Sequence, residues 1–316
     1  MNLDKKDIEN LIRSYPIGKL ISFEGINTGF MNYSYILTTD KGKFVLRIGK
    51  KTKKQEDILF EINLLNSLEN SPVPKYVRDL KRNYVNQSMG HNYAVYKYLD
   101  GNMPKRISNK VFKQLAYFLA KFHNQTKNFD LSQNRFAWYT FSDERANEFE
   151  KYLIKILNPY SPEIYYIKER LLENRLPKEL PHGPIHCDVK RHNILAVKGK
   201  LTGVVDFDNC QIGPYLLDLA ISINWFCTDK NGLDYRKTRK FVKYYEKFRK
   251  LGNLERKYLF QAIKYAYLSH EFVDYYVYAK GIISEGYFHF GRRFFLNAAI
   301  KMDKDKFSKC MNSPWF

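Results

Sequence analysis

Acidic residues are scarce in this chain: 33 Asp and Glu stand against 53 Lys and Arg, a formal charge of +20 over 316 residues. Such a balance would suit nucleic acid or an anionic membrane surface. The lysines, however, are spread along the chain instead of blocked, which reads as a solvated exterior, so nucleic acid is not expected as a partner. The one dense run, Gly49-Lys50-Lys51-Thr52-Lys53-Lys54, reads as a mobile loop before a helix. Cysteine is scarce too. Cys187, Cys210, Cys227 and Cys310 show neither paired nor metal-like spacing, which excludes a disulfide framework and predicts a reducing cytoplasm. No run approaches the ~20 apolar residues of a membrane span. Met1 to Tyr15 carries Asp4, Lys5, Lys6, Asp7 and Glu9 and lacks the apolar core of a signal segment. Repeats and low-complexity tracts are also missing. What remains is 44% apolar and 16% aromatic, enough core for two packed units of the usual ~100–150 residues.

Two kinds of pattern divide the chain. Asp4 to Arg13 reads as a short amphipathic helix, and Tyr33 to Thr38 with Phe44 to Ile48 as strands joined by the turn Asp40-Lys41-Gly42. Ile58, Leu59, Ile62, Leu65 and Leu68 give helical spacing over Glu56 to Leu68, ended by Pro72-Val73-Pro74. Tyr84 to Val85 and Tyr93 to Tyr98 suggest another strand pair. Beyond Asp100-Gly101-Asn102 the pattern turns helical: 111–125, 144–157, 163–173, 216–227, 235–251, 255–278 and 287–302. The expectation is an α+β chain of two lobes. Residues 1–97 form a small antiparallel β N-lobe that binds a nucleotide, and 98–316 a larger, mostly helical C-lobe with the catalytic loop and acceptor site.

The helical half is interrupted once, by Ile185-His186-Cys187-Asp188-Val189-Lys190-Arg191-His192-Asn193-Ile194-Leu195 and, further on, Asp206-Phe207-Asp208. Ile194 to Val197 and Leu201 to Val205 read as short strands about the turn Lys198-Gly199-Lys200, delivering Asp206 to a tip. Asp and Asn are ordinary turn residues, but this set, framed by strands, suits phosphoryl transfer. That chemistry needs a hydroxyl held in line and Mg²⁺ against the phosphate oxygens. Asp188 would orient the hydroxyl and take its proton, Asn193 and Asp206 would hold the metal, and Lys190 would contact the transferred phosphate.

Supporting positions are weaker one by one. Alternation along Phe44-Val45-Leu46-Arg47 puts Val45 and Arg47 on one face, Val45 against an adenine ring and Arg47 at the phosphates of ATP. Glu61 could pair with Arg47, although a lone helical Glu is more often solvated. Gly25 to Asn32 would cover the phosphates without a G-x-G-x-x-G. The backbone of Tyr96 to Tyr98 could meet adenine, or be a plain linker. Asp218, on an apolar helix face, needs partners and is expected to brace the catalytic loop, with His186 similarly structural. His123 reads as a core histidine. Asp208, Cys187 and His192 have no role that can be read.

Taken together these residues resemble the aminoglycoside phosphotransferase and choline kinase superfamily of protein-kinase-like fold, and within it most nearly the type II homoserine kinases. The likeness runs through Gly25 to Leu46 and Leu180 to Cys227, with H-C-D, N-I-L, T-G-V-V-D-F and Y-L-L-D-L-A in family-like order. It implies a bilobal fold using ATP and Mg²⁺, with Asp188 as base and Asn193 and Asp206 as metal ligands. Cys187 stands where Ala or Gly is usual and Asp208 where an aromatic is usual, while Lys190 is closer to protein-kinase usage. A kinase of a small hydroxylated metabolite follows, homoserine being the favoured acceptor. Choline and ethanolamine are alternatives, as are aminoglycosides, whose amines Glu271, Asp274, Glu285 or the carboxylate beside Trp315-Phe316 could attract despite the +20. A non-catalytic kinase-fold protein would be expected to lose a metal ligand, and none is lost.

Overall fold

In the computed structural model, residues 3–26, 32–51, 53–132, 135 and 137–313 are described. The chain divides into two compact units, Met1–Pro104 with Ile194–Asp208 and Lys105–Asn193 with Asn209–Phe316.

In chain order the elements are helix α1 (Lys5–Ile12), strands β1 (Leu20–Ile26), β2 (Asn32–Thr39) and β3 (Gly42–Gly49), helix α2 (Gln55–Asn66), and strands β4 (Tyr76–Val77), β5 (Val85–Ser88) and β6 (His91–Lys97). Helices α3 (Asn109–Gln125), α4 (Asp143–Ile156) and α5 (Ser161–Glu173) come next. Then follow β7 (His182–Ile185), β8 (Ile194–Val197), β9 (Lys200–Val204) and β10 (Gln211–Pro214). The chain closes with α6 (Tyr215–Phe226), a small hairpin of β11 (Thr228–Asp229) and β12 (Gly232–Leu233), α7 (Tyr235–Tyr245), α8 (Asn253–Ala279), α9 (Glu285–Gly291), α10 (Asn297–Lys301) and α11 (Lys304–Asn312). The α+β class expected from the sequence is what the structure has.

The first unit is an antiparallel sheet in the order β1-β2-β3-β6-β4, with β5 also on β6. Alternation sends Phe44, Leu46 and Ile48 of β3 into a core with Ile8, Ile12, Leu37, Tyr93 and Val95, covered by α1. That helix starts on a capping box, Asp4 accepting from the Asp7 N–H at 2.8 Å and Asp7 from the Asp4 N–H at 3.1 Å. Val45 and Arg47 leave the opposite face, where α2 brings Glu61.

The expected boundary at 97/98 is not where the compact units part. The β8–β9 hairpin falls in the first unit: the Val204 N–H donates to Pro72 O at 2.7 Å, and Ala196 bridges Asn102. Gly101 (φ +127) lets the two stretches close, since a β-carbon there would lie 3.1 Å from Ala196 N.

The second unit is a helical bundle whose longest member, α8, packs on α6 and α5. Two expected helices need correction, and two elements escape the sequence. The helix expected over 235–251 stops at Tyr245, because Arg249 turns back to pair with Glu255 at 2.8 Å and Gly252 opens α8. The helix expected over 287–302 is broken by a wide π-turn at Arg292–Leu296. Strand β1, with one buried residue, and helix α11, with only Phe307 buried, carry too little apolar periodicity to be seen beforehand. Among the described helices none is long and apolar enough to cross a membrane. Cys187, Cys210 and Cys227 are buried, and Cys310 is partly exposed.

Candidate active site

The loop after β7 is held from below. Asp218 on α6 is fully buried, its Oδ2 accepting from the His186 N–H at 2.8 Å and its Oδ1 from the Cys187 N–H at 2.9 Å. His123 on α3, also fully buried, lies 3.0 Å from Asp218 Oδ2 through Nε2 and 2.7 Å from the Tyr245 hydroxyl through Nδ1. Burial alone would push the Asp218 carboxyl up, but the His123 hydrogen bond and the loop N–H groups hold it below its ordinary value. A charged group buried this deeply is tolerated because donors surround it. Asp218 therefore braces the loop, as its apolar surroundings in the sequence predict.

Bracing permits strain. Cys187 sits at φ 63, in the left-handed region that L-residues with a β-carbon avoid, and its side chain is fully buried. Immediately after it the Asp188 N–H donates to His186 Nδ1 at 3.2 Å.

Asp188 is 3% exposed. Its Oδ2 is held by Asn193 Nδ2 and by Lys190 Nζ, each at 2.9 Å. Asn193 Nδ2 also reaches the Asp188 carbonyl oxygen at 2.9 Å, which leaves its own Oδ1 as a metal-compatible acceptor. Asp188 Oδ1 is buried and has no hydrogen-bond partner. One carboxylate oxygen is thus locked and the other is open. Lys190 also lies over the Trp225 ring, 5.6 Å from its centroid. Asp188, Lys190 and Asn193 are brought together within the second unit.

In the first unit Arg47 Nη1 donates to Glu61 Oε1 at 2.5 Å and to the Tyr76 hydroxyl at 2.9 Å. Glu61 is 1% exposed, so it is no solvated helix residue. Asp208 accepts from Arg47 Nη2, from Lys53 Nζ and from Asn32 Nδ2. Burial would raise the Asp208 carboxyl, but the Arg47 and Lys53 charges hold it well below the usual carboxylate range. Asp206 is exposed at φ 64, and its charge is felt by Arg47 and Tyr96.

Val45 is buried opposite Tyr96 in the β3–β6 ladder, and Tyr96 packs edge-on against Tyr76. The N–H groups of Lys97 and Tyr98 are already given to Lys75 O at 2.9 Å and Lys43 O at 3.1 Å, so neither is a free donor for a purine. The phosphate cover expected at Gly25 to Asn32 falls mostly on residues 27–31, outside those described, as do Trp315 and Phe316.

Sequence reasoning missed two members of this cluster. Lys53 belongs to the dense run expected to be a mobile loop, yet it is 7% exposed, and Asp208 has no role that can be read from the sequence. The only advance signal was that Asp208 replaces an expected aromatic, a new charge in want of a partner. Glu285, the third acid of the suggested amine pocket, is exposed and 3.5 Å from His289, whereas Glu271 and Asp274 are buried.

Residues 22–250 match a family described as Phosphotransferase enzyme family. The chain is 25% identical over 257 residues to a homoserine kinase of Parvibaculum lavamentivorans, covering 79% of this chain and 78% of that one. A homoserine kinase of Agrobacterium fabrum is 26% identical over 266 residues, 80% of each chain. Among solved structures, the amicoumacin kinase hAmiN in complex with AMP-PNP, Ca²⁺ and Ami superposes with a TM-score of 0.70 at 16% identity, over 95% of this chain and 94% of that one. A microcompartment-associated aminopropanol kinase gives 0.65 at 15% identity, over 94% and 95%.

Proposed function

We propose that this chain, which belongs to the phosphotransferase enzyme family, transfers the γ-phosphoryl group of ATP to the side-chain hydroxyl of homoserine. The observation that carries the reading is the divided Asp188 carboxylate, with Oδ2 held by Lys190 and Asn193 and Oδ1 buried without a partner. An acceptor hydroxyl donating to Oδ1 would have its oxygen oriented for attack and its proton received as the O–P bond forms. Lys190, beside Asp188, would then steady the negative charge of the moving phosphoryl group. Homoserine is favoured as acceptor by the curated relatives, which cover about four-fifths of the chain.

ATP with Mg²⁺ supplies the phosphoryl group and the charge neutralisation that its transfer requires. The residues fit that role. Asn193 keeps a carbonyl oxygen free of Asp188 and Asp206 is an exposed carboxylate, and each would offer Mg²⁺ the kind of oxygen it accepts while keeping waters. Arg47, fixed by Glu61, and Lys53 would receive the phosphates, with Asp208 holding both cations when no nucleotide is present. Val45 and Tyr96 would border the adenine.

The test is Asp188→Asn, assayed by coupled ADP release with homoserine. Turnover should fall at least ~10²-fold, the lower end for a positioned general base, while ATP affinity changes little. Near-normal turnover would remove Asp188 from this role, and silence of the wild type on homoserine, choline, ethanolamine and aminoglycosides would remove the acceptor class. Phosphorylation of an aminoglycoside is the second reading, favoured by the buried acids Glu271 and Asp274 and opposed by the +20 charge. A resistance phenotype on expression would establish it.

A further inference from the structure

Along the chain the lysines are spread, but the fold gathers a set of them. Helices α3 and α7 pack against each other, and neither contains an Asp or a Glu. They carry Lys110, Lys113 and Lys121 on α3 with Arg236, Lys237 and Lys240 on α7, and none of these side chains is in an ion pair among the described residues. The acids at the two ends of α7 are engaged. Asp234 Oδ1 accepts from the Lys237 N–H at 2.9 Å, and Glu246 takes the Arg256 guanidinium. Such a face works against the helix that bears it. Arg236 and Lys240 stand at i,i+4 and Lys237 and Lys240 at i,i+3, where like charges repel across one turn. Arg236 and Lys237 also lie in the first turn of α7, where the helix dipole disfavours cations. The fold gains nothing from this repulsion, and a polyanion would relieve it.

The cations of this face alternate with aromatic rings. Lys237 Nζ lies 5.6 Å from the Phe112 ring centroid, Lys113 Nζ 5.5 Å from Tyr117 and 5.7 Å from Tyr244, and Lys121 Nζ 4.5 Å from Phe248. Tyr117 meets Tyr244 at 6.1 Å and Phe248 at 4.8 Å, both edge-on, and Phe248 is 42% exposed. Beside the rings, Arg236, Lys237 and Lys240 line a hollow of about 270 Å³ together with Asn109 and Phe112. A flat anionic membrane suits this face poorly. Interfacial helices sink an apolar side into the headgroups, whereas Phe241, Val242 and Tyr245 of α7 are buried in the protein core. A chain of phosphates whose bases stack on rings matches both the cations and the aromatics.

We propose that the α3–α7 face binds single-stranded nucleic acid, with Arg236, Lys237 and Lys240 taking backbone phosphates in the hollow and Phe248 stacking a base. At this face the proposal sets aside the solvated exterior expected from the sequence. It stands apart from phosphoryl transfer and uses none of the residues placed in that reaction.

The experiment is fluorescence anisotropy of the full chain with a labelled oligouridylate of about 20 nucleotides, longer than the ~4–16 that such sites span. Binding should weaken steeply as salt rises, since each phosphate contact on a single strand adds about 0.7 to the slope of log K against log salt. Arg236→Gln, Lys237→Gln and Lys240→Gln combined should lower affinity at least ~10-fold and make that slope shallower by about 2. The melting temperature of this variant should be no lower than wild type, because the repulsion along α7 is relieved. Phe248→Ala should weaken binding about tenfold at an unchanged slope. Lys19→Gln, Lys41→Gln and Lys43→Gln combined remove the same charge from the first unit and should change affinity little. Inorganic polyphosphate of similar length, which has no bases, should compete at least ~10-fold more weakly than the oligonucleotide. The proposal would be overturned by failure to bind at low salt, by an equal loss in both triple variants or by equal competition from polyphosphate. Binding to phosphatidylserine vesicles in place of the oligonucleotide would overturn it too.

Discussion

Two buried charge clusters, one in each unit, are handled in different ways. In the first, Arg47 and Lys53 converge on Asp208, Arg47 also on Glu61, and Asn32 completes the set. In the second, Asp188 keeps one oxygen unpartnered and the Glu271–Asp274 pair keeps nearly all of its oxygens so. The difference is one of completeness. In the first cluster the acids and cations pair with one another and Glu61 Oε2 is left over, whereas in the second both oxygens of Glu271 and Asp274 Oδ2 have no hydrogen-bond partner.

That contrast can be broken most severely at Arg47. Arg47→Met leaves Glu61 a buried acid with only the Tyr76 hydroxyl and takes one of two cations from Asp208, and urea unfolding of the nucleotide-free protein should show a loss of about 3–5 kcal/mol. A loss near zero would mean that the network is looser than its geometry.

The pH dependence of stability separates the two units more finely. Asp208 has a lowered folded value, so its stabilisation is complete above the ordinary carboxyl range near 4 and is lost as pH falls through the lowered value. Asp208→Asn should remove that acid limb. Asp274 behaves inversely. Burial pushes it up to about 8, partly offset by Lys190 and reinforced by Asp188, with Glu271 raised by burial and by Asp274 itself. Arg292, Glu163 and Tyr287 also face the pair. The folded chain there retains a proton that the unfolded chain has released, so stability declines as pH rises from about 4 to about 8. Asp274→Asn should flatten that decline, as measured by melting temperature across the range. A variant with an unchanged profile would remove Asp274 as the source.

The smallest effect is expected where neither arrangement applies. Asp143 and Arg175 pair at 2.7 Å with 56% and 42% of their side chains exposed. Asp143→Ala should leave the urea midpoint almost unchanged, because water screens such pairs. A clear shift would show that exposure is a poor guide to the two buried clusters as well.

How much of this was legible in the sequence follows the length scale of each interaction. Asp188, Lys190 and Asn193 lie within one turn-and-strand segment, where spacing alone predicts convergence. Arg47 and Glu61 are fourteen residues apart on adjacent elements, and strand alternation was enough to aim the arginine. Lys53 and Asp208 are 155 residues apart, and no periodicity links a lysine in a lysine run with the third residue of Asp206-Phe207-Asp208. The acids of α8 were visible as acids but not as buried ones, since their helix is aromatic on several faces and hides its inner side. The break at Arg292 was likewise hidden, as a π-turn leaves the apolar pattern almost helical.

The strained cysteine next to Asp188 offers a practical handle. Cys187 is fully buried with its thiol driven upward by desolvation, and Cys310 is the one sulfhydryl among the four with appreciable solvent contact. A maleimide should therefore mark α11 first. Any later, slower alkylation at position 187 would clock the opening of the loop that carries Asp188, giving a chemical stopwatch for local unfolding with no engineered probe.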